Sequence, residues 1–244
     1  MQRLLIAAVF CGLASQVHAA EPGLATEVYE PTVTQGETEF ELRGGVLDGG
    51  EANADWQVKA EAAYSVNDWW RPALVAEWEY EGADAEFTAF AIENVFDLTA
   101  TRDWPVHFGA YVEYEFAQDG PDGVELKLLM QRTRGPWDLR LNLIGEREVG
   151  SDAANEWEFG YAMQVGYGLS DDLQIGIQGF GEAGDSESFG VEDRAAYWGP
   201  FAEFEIGDVG AGELEMQIGY LAGFGDAAAD GQFRIKLDLE FPAR

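Results

Sequence analysis

"FRIKLDLEF", residues 233–241, alternates without a slip: Phe233, Ile235, Leu237, Leu239 and Phe241 leave one face, Arg234, Lys236, Asp238 and Glu240 the other. Successive side chains of a strand point to opposite sides, so this segment builds a sheet with one apolar face and one fully charged face. A soluble sandwich would bury the apolar face against a second sheet. A membrane barrel would turn it to lipid and keep the charges in a lumen. The rest of the chain has to choose between them.

Segments with the same alternation recur at about twelve places: 37–46, 55–66, 71–81, 86–98, 104–116, 123–133, 137–148, 156–168, 173–183, 196–206, 213–224 and 232–241. None sustains a helical period. An even strand number places both termini on the periplasmic side of an outer-membrane barrel, and the connections then fall into two groups. "NDW", "TATRD", "RGP", "SDD" and "DVGAG" are mostly short and rich in turn formers; "LDGGEANA", "EGADA", "AQDGPD", "GSDAAN", "AGDSESFGVEDRA" and "GDAAAD" are mostly longer and acidic. Trp56, Trp78, Trp157 and Trp198 fall beside the second group, and Trp69, Trp70, Trp104 and Trp137 beside the first. All but Trp69 share the parity of their strand's apolar face. Two lipid-facing aromatic belts are what a barrel in a bilayer calls for, because an amphipathic ring prefers the headgroup level. A lipocalin-like soluble barrel would have to bury both belts.

The N-terminus fits export. Arg3 precedes an apolar run from Leu4 to Ala14, with Val17 and Ala19 at the small-residue positions of a cleavage site. The expected organisation is a cleaved signal peptide at 1–20, a periplasmic arm at 21–36 that is free to enter the lumen, and one antiparallel transmembrane β-barrel at 37–244. Cys11, the one cysteine, lies in the signal run, so no disulfide or thiol chemistry is expected of the mature chain. The net charge of −32 argues against nucleic acid and anionic headgroups as partners, and it also fits an acidic proteome from a saline habitat. The expected surroundings are outer-membrane lipid and lipopolysaccharide, reached through the barrel-assembly machinery.

The signal run, the closing strand ending in Phe241, and "GYGLSDDLQIGIQGFGE" (166–182) together resemble proteobacterial outer-membrane barrels of a loose, mostly uncharacterised group described as transporters of the phenol meta-degradation pathway. The resemblance implies an outer-membrane transport barrel and carries no substrate motif. The closing strand is also similar to the signal read by the assembly machinery, with Phe241 as its aromatic end, although Pro242, Ala243 and Arg244 follow it here.

Parity gives the lumen roughly 22 carboxylates against Arg43, Lys59, Lys127, Arg140, Arg234 and Lys236. Unpaired carboxylates are costly in a dry interior, so a wet bore, shared protons or bound cations are expected. A hairpin at "GDVGAG" that sets Glu205 opposite Glu213 and Glu203 opposite Glu215 makes these four a candidate divalent-cation site, or else a solvated acidic vestibule facing Arg140. A second acidic ring is expected from Glu79, Glu81, Glu115, Glu148 and Glu158. Gly160, Gln164, Gly168, Gln174, Gly176 and Gln178 form a wall of small or neutral groups suited to a permeation path. Lys127, Arg140 and Lys236 oppose it as a constriction. His107 sits at the wrong end for the hydrolase sites of outer-membrane enzymes, and no phosphate loop, zinc spacing or dinucleotide fingerprint occurs, so neither an enzyme nor a cofactor is expected. The function expected is passive, cation-favouring passage of small solutes. The alternatives are a closed, side-chain-filled barrel with a structural or surface-interaction role and, third, an enzyme.

Overall fold

The computed structural model describes residues 22–243 except 51, 81, 83, 101, 103, 152, 192 and 193. The expected signal peptide, with Cys11, and Glu81 of the second acidic ring therefore lie outside the described residues. The strands are β1 (Thr38–Asp48), β2 (Trp56–Tyr64), β3 (Trp70–Tyr80), β4 (Ala85–Asp97), β5 (His107–Ala117), β6 (Asp122–Arg134), β7 (Trp137–Val149), β8 (Glu158–Ser170), β9 (Leu173–Asp185), β10 (Ala196–Val209), β11 (Gly212–Phe224) and β12 (Gly231–Phe241). Each pairs antiparallel with its sequence neighbours, and β1 pairs with β12 from Thr38↔Phe241 to Asp48↔Gly231, which closes the barrel and leaves no sheet edge.

The two faces separate as the alternation requires. Phe40, Leu42, Leu74, Phe90, Ile92, Leu143, Phe233 and Ile235 are exposed on the outside, whereas Glu41, Glu61, Glu93, Glu113, Lys127 and Asp238 are buried inside. Apolar outside and charged inside inverts a soluble domain and matches a barrel embedded in lipid. At the end carrying the β1–β2, β7–β8 and β9–β10 loops, hereafter the long-loop end, Trp56 stacks on Tyr80 and Trp78 meets Phe87. Trp157 and Trp198 lie at this end too, and the Trp198 ring covers Gly179, where a Cβ would collide with it. At the opposite, short-turn end, Trp104 packs on Phe108 and Trp137 on Tyr167. There β6–β7, β8–β9 and β10–β11 are joined by two residues each.

One expected register is corrected. The β10–β11 turn is the pair Gly210–Ala211, with Gly210 at φ +69°, and it aligns Asp208 with Glu213. A bulge between Glu205 and Gly207 then leaves Ile206 unpaired, so Glu205 faces Glu215 and Glu203 faces Gln217. The neighbouring pairs Glu215↔Asp238 and Glu213↔Glu240 place the final strand's acids beside this hairpin, as expected.

The arm does not stay at the short-turn end. Pro22 O accepts a bond from Gln232 near the long-loop end (3.1 Å), and Gln35 N donates to Asp68 at the short-turn end (3.4 Å). Residues 22–35 thus traverse the whole lumen before the chain reverses into β1. The described segment begins at the opposite end from Ala243, inside the lumen that the arm was expected to be free to enter.

Candidate functional site: the occupied lumen

The arm has apolar groups on two sides. Leu24 and Val28 pack with Leu47, Ala162, Phe180, Tyr197 and Leu221, beneath Ala195 and Ala229 at the long-loop mouth. Tyr29 and Val33 pack with Val95, Tyr111 and Leu129. Burying Leu24, Val28 and Val33 contributes roughly 1.5–3 kcal/mol each. Glycine admits the arm where side chains would block it. A Cβ on Gly109 would lie 2.8 Å from Pro31, and one on Gly45 would strike the Leu24 carbonyl.

Polar contacts fix the arm's register. Tyr29 N donates to Asn142 Oδ1 (2.7 Å), and Asn142 Nδ2 donates back to Tyr29 O (2.9 Å). The Tyr29 hydroxyl donates to Glu93 (2.8 Å) and accepts from Arg43 Nη2 (3.1 Å). Glu27 pairs with Lys236 (3.0 Å) and Glu30 with Arg140 (3.2 Å). Arg43 Nε donates to Ala25 O (2.9 Å), and Arg234 Nη2 to Thr26 O.

Arg43 is the hub. Its guanidinium is buried and binds Glu41, Glu61 (2.7 Å) and Glu93 (3.3 Å), joining β1, β2 and β4 across the bore. Lys59 pairs with Glu77 (2.5 Å) and Arg71 with Glu39 (2.5 Å). Arg71, at the head of β3, is a lumenal cation absent from the sequence-derived set; its parity with the buried Ala73 and Val75 was the available signal.

A small cavity of about 20 Å³ remains between the arm and the β7–β12 wall. Gln164, Gln178, Gln217, Arg140, Arg234 and Lys236 line it together with Thr26, Glu27 and Val28. The proposed permeation wall and constriction therefore meet here in part. Gln178 Nε2 donates to both Gln164 (2.7 Å) and Gln217 (2.6 Å), and Gln217 donates to Glu203 (2.5 Å). Lys127 is elsewhere, a correction: its ammonium sits 4.5 Å from the Tyr29 ring centre and 4.2 Å from that of Tyr111, paired with Glu125 (2.8 Å). Two rings hold a cation more favourably than open solvent would predict, so Lys127 clamps the arm.

The glycines of the wall do not all leave space. Gly160, Gly168, Gln174 and Gly176 stand off the cavity lining. A Cβ on Gly176 would strike the Val165 carbonyl of β8 and lie 2.6 Å from the Phe201 ring, so backbone and ring together take the room the glycine frees.

Glu205 and Glu213 approach one another, but Glu203, Glu205, Glu213 and Glu215 do not gather into one set of metal ligands. Among the described residues, the carboxylate trios whose oxygens approach within 4.8 Å of one another are Glu27/Glu41/Glu61, Glu39/Glu41/Asp238 and Glu77/Glu113/Glu115. The first two are already supplied with charge by Arg43, Lys236 and Arg71. Glu79, Glu115, Glu148 and Glu158 stand at the long-loop end as expected. His107 pairs in register with Gln131 on the lumen face near the short-turn end. Phe241 ends β12 with its ring edge-on to Phe40 (6.2 Å).

No protein-family model matches the chain, and no curated protein matches it in sequence. Solved structures do. The NanC porin aligns with TM-score 0.58 at 9% identity over 83% of this chain and 98% of that one. The COG4313 outer membrane channel from Pseudomonas putida F1 aligns with TM-score 0.57 at 13% identity, covering 91% and 99%. The KdgM porin, solved in complex with disordered oligogalacturonate, aligns with TM-score 0.53 at 8% identity, covering 85% and 99%. At these identities the likeness is one of fold: a closed outer-membrane-type barrel.

Proposed function

We propose that this chain is an outer-membrane channel giving small solutes passive, cation-favouring passage, closed at rest by the arm at 22–36. One observation carries the reading: the bore is obstructed chiefly by a segment that belongs to no strand and is held by reversible contacts. Porin and channel neighbours support the transport class, and the excess of lumenal carboxylates supports the cation preference. A lining of glutamines and cations beside the arm supports polar solutes.

The test is planar-bilayer conductance of the full chain beside a variant lacking residues 22–35. Rare openings in the first and steady conductance in the second are expected. A folded deletion variant with no conductance would refute the channel and leave the filled barrel acting through its acidic loops. The Arg43 cluster favours that second reading, because its ion pairs tie carboxylates of β1, β2 and β4 to one another from the wall alone.

A further inference from the structure

The outside of the barrel carries an arginine patch that neither the lumen nor the arm uses. Arg132 and Arg134 share the parity of the exposed Leu126 and Leu128, so they leave β6 on the lipid side at its short-turn end. Both are exposed, and neither has an ion pair among the described residues. On one side Trp137 of β7 lies opposite Arg134 in register, and Leu139 opposite Arg132. On the other side β5 begins at His107↔Gln131, so β6 projects past it and the chain leading into β5 flanks the two arginines. That chain supplies Trp104, whose ring packs on Phe108, the register partner of Met130, and Arg102, whose guanidinium lies 5.1 Å over the Trp104 ring. Arg132 and Arg134 thus stand between two exposed indoles, with Arg102 on one of them. We propose that this patch seats the headgroup of an anionic phospholipid in the leaflet at the short-turn end.

The charge of the whole chain does not describe this sector. The carboxylates of β5, β6 and β7 are Glu113, Glu115, Asp122, Glu125, Asp138, Glu146 and Glu148, and all but Asp122 have lumenal parity. Asp122 faces outward but lies at the far end of β6, held by the Tyr114 hydroxyl (2.7 Å). Asp138, which stands opposite Thr133 between the two arginines, points inward and is neutralised by Arg140 (2.6 Å). The outward face at the short-turn end of these strands is therefore positive. Exposed charges farther away than about 10 Å are screened at 0.1 M salt.

Depth and spacing select the occupant. Indole rings settle at the headgroup level, so Trp104 and Trp137 put the arginines where lipid phosphates lie. Two residues along a strand separate Arg132 from Arg134 by about 6.8 Å, and long side chains on one face can converge from there on a single phosphate. A guanidinium fork donates two parallel hydrogen bonds to phosphate oxygens. The surrounding Leu126, Leu128 and Leu139 offer acyl chains an apolar wall.

The experiment is native mass spectrometry of the purified full chain in nonionic detergent, titrated with phosphatidylglycerol or with phosphatidylcholine of the same acyl chains. It is run beside R132Q/R134Q and a charge-matched control at the long-loop end, R147Q/R194Q. The replaced side chains of the test variant are exposed, so it should fold, and heat-modifiable migration on gels checks that it does. Each arginine beside an anionic headgroup contributes about fivefold in affinity. The first phosphatidylglycerol should then bind R132Q/R134Q about 25-fold more weakly than the native chain, and the control within about twofold of native. Phosphatidylcholine binding should change less than about twofold in either variant. Equal native affinity for the two lipids, equal losses in the two variants, or displacement of the lipid by inorganic phosphate at matched ionic strength would overturn the seat. So would lipid-free dimers that R132Q/R134Q breaks up, which would give the patch to a second copy of the chain. The measurement does not involve conductance, so its failure leaves the channel reading standing.

Discussion

Asn142→Ala should open the barrel without unfolding it. Asn142 is fully buried, and among the described residues its side chain exchanges two hydrogen bonds with the backbone of Tyr29, at 2.7 and 2.9 Å. Truncation leaves the Tyr29 N–H and C=O without partners only while the arm is seated, so the whole penalty falls on the closed state. An unsatisfied buried group costs about 1–3 kcal/mol, which makes roughly 2–6 kcal/mol for the pair. A tenfold change in an equilibrium takes about 1.4 kcal/mol, so the closed-to-open ratio should fall by roughly 30-fold to 10⁴-fold. The lower figure applies if a water molecule occupies the vacated amide site. Ordering the arm costs about 1–2 kcal/mol per residue, so its seat is a balance of large terms that a few kcal/mol can tip. The assay is the open fraction in a planar bilayer at fixed voltage, with faster amide exchange across 24–33 as a second readout. A folded Asn142→Ala protein with native open time and native exchange would show that the arm is not the gate.

Two further outcomes are expected. A cysteine at Ser186, exposed in the β9–β10 loop, should react with an impermeant maleimide on intact cells, and one at Asp171 in the β8–β9 turn should not; the reverse pattern would invert the topology. Phe241→Ala removes the aromatic end of the strand that closes onto β1 and should lower the amount of folded barrel in the outer membrane, with an unchanged yield counting against an assembly role.

The barrel was legible because its signal is local. A period of two residues, read strand by strand, gives the face of every side chain and hence the inside and the outside. The same period hides register. Sliding β10 by two residues against β11 keeps every side chain on its face while changing every partner, and the turn at Gly210–Ala211 together with the one-residue bulge at Glu205–Gly207 produces such a slip. The arm was illegible for a different reason. Pro22 to Gly36 has no period, and its partners lie on strands far away in sequence: Asn142 on β7, Glu93 on β4, Lys236 on β12. The glycine wall failed similarly, since a missing side chain reads as space until the Phe201 ring from the next strand is seen to fill it. Lys127 is placed in a constriction by parity alone, because the ring that traps it, Tyr29, comes from the arm.

Charge follows the arm when it leaves. Between residues 22 and 36 its charged groups are Glu27 and Glu30, so release withdraws two carboxylates from the bore and strips one partner each from Lys236 and Arg140. Were these the cations' main counter-charges, the opened bore would become locally basic and favour anions. The wall argues otherwise. Lys236 keeps Glu41 (3.2 Å) and Asp238 (3.5 Å), and Arg140 keeps Asp138 (2.6 Å). Both mouths also retain carboxylates that, among the described residues, no lysine or arginine meets, whose field reaches about 10 Å at 0.1 M salt. The variant lacking 22–35 should therefore show a reversal potential on the cation side under a salt gradient, with the preference shrinking as salt rises. Asp138→Asn added to that deletion should weaken the preference further by leaving Arg140 with no carboxylate. An anion-selective deletion variant would mean that the arm's two acids, and not the wall's, neutralise Lys236 and Arg140, and the charge assignment made here for the open bore would fail.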